Sequence, residues 1–158
     1  MKLDQTDRKI LSELQQNAHL TNQDLGERLN LSPSQAGRRR QRLEADGIIT
    51  GYTARLSARS VGLSVQAFIR VQMASHAPDQ VRVFTKTVER HPEITDAWTL
   101  TGEADYLLRV YCADLRALNT LIQDVLLPIP AVARVQSQIV MDQLKSDASL
   151  PTWAAIDS

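Results

Sequence analysis

Apolar positions follow two different periods along this chain. Near the start they recur every three or four residues, which predicts short helices. Ile10, Leu11 and Leu14 form one stripe, on a helix starting after Asp4 and running to about Asn17. Leu25 and Leu29 form a second stripe. Thr21 is placed to cap that helix, with Asp24 three residues on as a capping-box partner. Ser32-Pro33 opens a third helix, because serine is a favoured N-cap and proline suits the first helical position. Gly47 is a natural C-cap for it. Ile48 to Leu56 then reads as extended, with Gly51-Tyr52 opening a short strand or wing.

From Val65 the period changes. Val65, Ala67, Ile69, Val71 and Met73 alternate as in a half-buried strand. Val81, Phe84 and Val88 return to helical spacing, and Pro92 marks that helix's exit. Ile94 to Thr101 and Asp105 to Cys112 read as two strands around the turn Gly102-Glu103-Ala104. Leu115, Leu118, Leu121, Ile122, Val125 and Leu126 line a second helix, ended by Leu127-Pro128-Ile129-Pro130. Val132 to Met141 is the last strand. The order βαββαβ is that of a ferredoxin-like split βαβ unit. The fold class is α+β: a winged helix-turn-helix over 1–60, linker included, and a ferredoxin-like domain over 61–158. From about Lys145 the tail is polar and peripheral, with Trp153 as a side chain that tucks it onto the body.

Strand 105–112 is apolar on both sides. Leu107 and Tyr111 lie on one, and Tyr106, Leu108, Val110 and Cys112 on the other. Two helices cover only one face of such a sheet, so the other face calls for a partner, and a second copy is the simplest one.

Composition narrows the setting. Of 158 residues, 43% are hydrophobic, an ordinary share for a globular protein. No apolar run reaches the roughly 18 residues of a membrane span, and the first residues lack a signal peptide's apolar core. The single cysteine, Cys112, sits in an apolar strand and reads as core. A cytoplasmic location fits. The zero net charge conceals a split: residues 1–60 carry ten Lys+Arg against seven Asp+Glu, whereas 61–158 carry eight against eleven. Only the front half suits a polyanion.

The third helix carries Arg38, Arg39, Arg40 and Arg42. Behind a short helix and a tight turn, this is the layout of a recognition helix reading double-stranded DNA. Ser34, Gln35 and Arg38 fall near base edges. Arg39 and Arg42, four and seven residues after Gln35, are placed for phosphate or guanine, and Thr21 joins the same DNA face. Arg40 is awkward, since its spacing from Ala36 and Leu43 puts it on the buried side. Its stem can pack while the guanidinium snorkels out. Gly37 permits close approach of another helix or of the DNA backbone.

Nearly the whole chain resembles the Lrp/AsnC family of bacterial and archaeal transcription regulators. The resemblance rests on Leu3-Asp4, Asp7-Arg8-Lys9-Ile10-Leu11, Leu14-Gln15, Asn17-Ala18, Leu31-Ser32, Arg39, Arg42-Leu43-Glu44 and Gly47-Ile48-Ile49 with Gly51-Tyr52. Farther on it rests on Thr101-Gly102, Asp105-Tyr106-Leu107-Leu108 and Ser137. Arg40 stands where the family favours a small aliphatic residue, Ala36 where cysteine or another small residue is common, and Leu56-Ser57-Ala58-Arg59 where it has Leu-Asp-Pro. The resemblance implies a homodimer held by the second domain, dimers assembling further to a tetramer or octamer, and an amino acid or related metabolite as effector.

The loop Thr101-Gly102-Glu103-Ala104-Asp105 suits such an effector. Gly102 tolerates positive φ, amides freed at the turn bind a carboxylate, and Asp105 accepts from an ammonium. The resemblance adds that this loop faces the start of the last strand, here Gln136, Ser137 and Gln138, across a dimer–dimer interface. The bland alternative is a tight turn whose Asp105 only caps its own backbone.

An enzyme is not expected. His19, His76 and His91 are far apart without metal-ligand spacing, and there is no phosphate loop. No cofactor or metal is called for, and no catalytic residue emerges; Glu103 and Asp105 suit ligand capture better than acid–base work. His76 reads as a surface residue. An effector-independent architectural regulator of this fold, or a sensor module without DNA binding, are the other candidates. RNA binding through the sheet is disfavoured by 4% aromatics.

Overall fold

The computed structural model describes residues 3–152. They form two compact units: residues up to Ala54 joined by those from Lys145 on, and Arg55–Leu144. Trp153 lies outside the described residues.

The first unit holds α1 (Gln5–Gln16), α2 (Asn22–Leu29) and α3 (Pro33–Ala45). All three start with a complete capping box: Asp4 with Asp7, Thr21 with Asp24, Ser32 with Gln35. Each box satisfies two orphan amides locally, which is why the sequence marks these starts so sharply. Ile10, Leu14, Leu20, Leu25, Ala36 and Leu43 close into one small core. At the end of α3, Gly47 has φ +69°, and Leu43 O accepts from both Ile48 and Ile49 N–H. The glycine supplies the left-handed residue that such a helix stop needs.

Two buried glycines set the interhelical distances. A Cβ on Gly26 would stand 2.6 Å from Leu31 O, the backbone of the turn between α2 and α3. A Cβ on Gly37 would stand 2.8 Å from Nδ2 of Asn22, at the start of α2. The close approach expected of Gly37 is therefore to another helix. Gly26 meets backbone, which cannot rotate aside. Gly26→Ala is expected to destabilise the first unit by about 1–3 kcal/mol, a typical overpacking cost. Amide exchange at Leu25 and Leu43 checks this, and unchanged protection would place slack in the turn.

The extended segment expected over Ile48–Leu56 forms no strand. A strand needs a paired neighbour, and the first unit has none among the described residues. Instead Tyr52 is drawn back onto α3. Its hydroxyl donates to Glu44 Oε1 (2.7 Å), and the Arg40 guanidinium lies 4.9 Å from its ring centroid. The tail adds one more tie within this unit. Gln15 accepts from Leu150 N–H (2.6 Å) and donates to Leu150 O (3.1 Å).

The second unit holds β1 (Val65–Met73), α4 (Pro78–Arg90), β2 (Ile94–Thr99), β3 (Tyr106–Cys112), α5 (Leu115–Thr120) and β4 (Val132–Ile139). The sheet order is β2-β3-β1-β4 and every pairing is antiparallel. This is the ferredoxin-like arrangement expected. α5 runs into one π-helical stretch, Leu121–Leu126, which the periodicity did not reveal.

Burial splits the sheet by face. Ala67, Ile69, Val71, Leu108, Val110 and Cys112 pack with Phe84, Leu118, Leu121 and Leu126 into the main core. Cys112 is buried in this core, and that burial raises its thiol pKa. Phe68, Leu107 and Tyr111 alternate onto the opposite face, which no helix of the unit covers, and Trp98 beside Leu107 is 43% exposed.

Candidate DNA-binding face and effector loop

The outer side of α3 presents the side chains that the sequence assigns to DNA. Ser34, Gln35 and Arg38 are exposed, and Leu31, Gln35, Arg38, Arg39 and Arg42 line an open concavity of about 360 Å³. Thr21 is also exposed. Its hydroxyl donates to Asp24 Oδ2 (2.6 Å) and accepts from Asp24 N–H (3.1 Å), so its visible task is to cap α2. Gln35 spends its carbonyl on Ser32 N–H (2.9 Å), leaving the amide donors outward.

The arginines divide by partner. Arg39 Nη1 donates to Asp4 Oδ2 (2.6 Å) and Asp7 Oδ1 (2.8 Å). Arg42 Nη2 donates to Asp7 Oδ2 (2.6 Å). Asp7 is fully buried, the only buried charged residue among those described. The hydrogen bonds to Asp4 and Asp7 raise the Arg39 pKa further. Asp4 is held below the usual carboxylate range, first by the Asp7 N–H and then by Arg39. These ion pairs fix two recognition-helix side chains to the start of α1. Arg39 still has Nε–H and Nη2 donors outside the pairs, and Arg42 has Nε–H and Nη1. Arg38 forms no ion pair with a described residue.

Arg40 is a clamp. Its Nη1 donates to Leu20 O (2.9 Å), and its Nε lies 3.2 Å from Glu44 Oε1 and 3.0 Å from the Tyr52 hydroxyl. It thus ties the α1–α2 turn and the segment after α3 to the recognition helix. The helical spacing placed its stem inside; its partners, 20 and 12 residues away, were not readable from the sequence.

In the second unit, Gly102 adopts φ +105°, and a Cβ there would meet nothing within 4 Å. Conformation alone calls for glycine. Thr101, Gly102 and Glu103 are exposed, and Ala104 is buried. Asp105 does more than cap its own turn. Oδ2 accepts from Met73 N–H (2.7 Å), and Oδ1 lies 2.7 Å from His76 Nε2. These contacts, the backbone amide first, hold its carboxyl below the usual range. A lowered pKa means this tether is complete above the ordinary carboxylate range and lost as pH falls through the lowered value. His76 is the surface residue the sequence suggests, its side chain 65% exposed; its partner, 29 positions away, is not readable from the sequence.

The last-strand residues separate by register. Gln136 lies opposite Arg70, and Gln138 opposite Phe68, on the uncovered face. Ser137 lies opposite Ile69, so it points to the helix side. Gln136 shares a small depression with Glu103 and Ala104.

A helix-turn-helix with cations on its recognition helix, on the same chain as a half-covered sheet domain, defines a two-part DNA-binding regulator. Residues 3–50 match the winged helix-turn-helix DNA-binding family, and residues 66–150 match the Lrp/AsnC ligand binding domain. The DNA-binding transcriptional activator DecR of Escherichia coli K12 is 36% identical over 149 residues, covering 94% of this chain and 98% of that one. The leucine-responsive regulatory protein of Klebsiella pneumoniae is 34% identical, covering 94% and 90%. Among solved structures, a transcriptional regulator of Neisseria meningitidis in complex with L-Met is 44% identical with TM-score 0.91, covering 95% and 97%. The chain belongs to the Lrp/AsnC family and is a DNA-binding transcription regulator. No helix of the described residues is long and apolar enough to cross a membrane.

Proposed function

We propose that this regulator binds a pseudo-palindromic operator as a homodimer and adjusts its grip when an amino acid occupies the second unit. What carries the reading is one sheet face left uncovered, bordered by a loop whose glycine is at positive φ. Dimerisation covers Phe68, Leu107, Tyr111 and Trp98. Dimers then join into a tetramer or octamer, with the effector bound by residues 101–105 and the Gln136–Gln138 region between dimers. Ligand held there couples occupancy to assembly. L-methionine is the first candidate, because a 44% identical relative is complexed with it. Titrating the full chain with each of the twenty amino acids by calorimetry tests the effector. Binding to none of them would leave an effector-independent regulator.

The assembly has its own test. Trp98→Asp puts a charge on the uncovered face, opposite the apolar Leu107, where burial without a partner is costly. Light scattering at micromolar concentration is expected to show a dimer or larger for the parent chain and a monomer for the variant. An unchanged mass would move the dimer interface elsewhere.

A further inference from the structure

The β1–β4 register brings two unpaired guanidiniums together. Arg70 lies opposite Gln136, and Gln72 opposite Arg134. Arg70 and Arg134 are thus diagonal neighbours on the uncovered face, about 7–8 Å apart at the backbone. Neither forms a side-chain hydrogen bond or ion pair with a described residue. Arg109, on the same face, is different: its Nη2 lies 2.6 Å from Asp96 Oδ2. Between Arg70 and Arg134 is a depression of about 30 Å³, completed by Gln72, Gln136, Glu103 and Ala104. That is room for one small group, on the scale of a single water or a carboxylate.

Like charges on neighbouring strands repel, and an anion held between them offsets that repulsion. The guanidinium fork matches a carboxylate in shape, and each such bond is charge-assisted. The Gln72 and Gln136 amides add donors. Glu103, at the same depression, has the opposite sign and suits an ammonium. Asp105 is less suited to that ammonium than its position in the chain suggests, because both its oxygens are engaged with Met73 and His76. We propose that Arg70 and Arg134 form the carboxylate subsite of the effector, with Glu103 facing its ammonium. The depression takes the carboxylate alone, and the rest of the ligand stays outside it. This rests on the reading that an amino acid is the effector; it replaces freed loop amides with arginines as the carboxylate anchor.

The test uses the full chain, with L-methionine and L-leucine as probes, each beside its carboxamide. The carboxamide keeps the ammonium and side chain but loses the negative charge. Calorimetry is expected to show the acid binding about 10- to 100-fold tighter than the amide, the scale of one or two hydrogen bonds to a charged group. Arg70→Gln and Arg134→Gln should each weaken the acid and shrink that gap, whereas Arg134→Lys retains part of it. Light scattering of each variant reports on assembly. Equal affinity for acid and amide in the parent chain overturns the subsite and leaves the amino-acid reading standing. So does a gap that survives both glutamine variants. Loss of the dimer in Arg134→Gln also overturns it, because the guanidiniums would then pair with a carboxylate of another copy. If neither probe nor any other amino acid binds, the effector reading itself falls.

Discussion

Asp7→Ala is expected to destabilise the first unit by about 2–3 kcal/mol, although it removes only a short side chain. Asp7 is fully buried and serves three donors: Arg39 Nη1, Arg42 Nη2 and the backbone N–H of Asp4. Removing one partner of a buried ion pair costs about 3–5 kcal/mol when the other charge stays buried. Here the guanidiniums left behind are half exposed and can rehydrate, which lowers the cost. The Asp4–Asp7 capping box also loses one arm, which brings it back up by a few tenths to 1 kcal/mol. Asp7→Asn keeps an acceptor oxygen and the shape but not the charge, so it should fall between parent and alanine. Amide exchange at Ile10 and Leu14 reads this unit separately from the sheet domain. Full protection in Asp7→Ala would mean that the helices, not the ion pairs, hold α1 against α3.

The starts of α2 and α3 were legible because their signals are local: a four-residue capping box at Thr21/Asp24 and the serine cap with proline at Ser32-Pro33. The boxes Asp4/Asp7 and Ser32/Gln35 emerge in the structure. The sheet was legible because alternation at Ala67, Ile69 and Val71 and at Leu108, Val110 and Cys112 is a period-2 signal with buried consequences. The side-chain partners stayed hidden for one physical reason: they are distant in sequence. Asp7 meets Arg39 and Arg42 over 32 and 35 positions, Arg40 meets Leu20 over 20, and Asp105 meets His76 over 29. Periodicity says which face a side chain occupies, never which charge faces it. The same limit explains the last strand. Gln136, Ser137 and Gln138 were named as a run, but a strand sends neighbours to opposite faces, and only register decides that Gln136 reaches the depression. Gly26 was also missed. A glycine inside a helix four residues before its turn is a readable sign of close backbone approach, and the 2.6 Å Cβ distance is its structural counterpart.

Arg38→Ala is expected to weaken operator binding by about 10- to 100-fold and to relax discrimination at one base pair in each half-site. A bidentate arginine–guanine contact discriminates by roughly 1–3 kcal/mol. Arg38 is exposed, lines the concavity with Gln35, and has no carboxylate partner among the described residues. Arg39 and Arg42 start from a different position. Two carboxylates, Asp4 and Asp7, already face these two guanidiniums. Any phosphate they approach meets a cluster that is close to neutral, so their gain on binding DNA is geometric more than electrostatic. Arg39→Ala should therefore weaken all sequences alike, and change the slope of log affinity against log salt by less than the unit expected of a free phosphate-binding arginine. Fluorescence anisotropy on operator and shuffled duplexes, from about 50 to 200 mM salt, separates the two behaviours. If Arg38→Ala lowers affinity for both duplexes equally, Arg38 sits on the phosphate backbone. If Arg39→Ala flattens the salt slope by a full unit, DNA has pulled Arg39 away from Asp4 and Asp7, and those carboxylates compete with the operator for it.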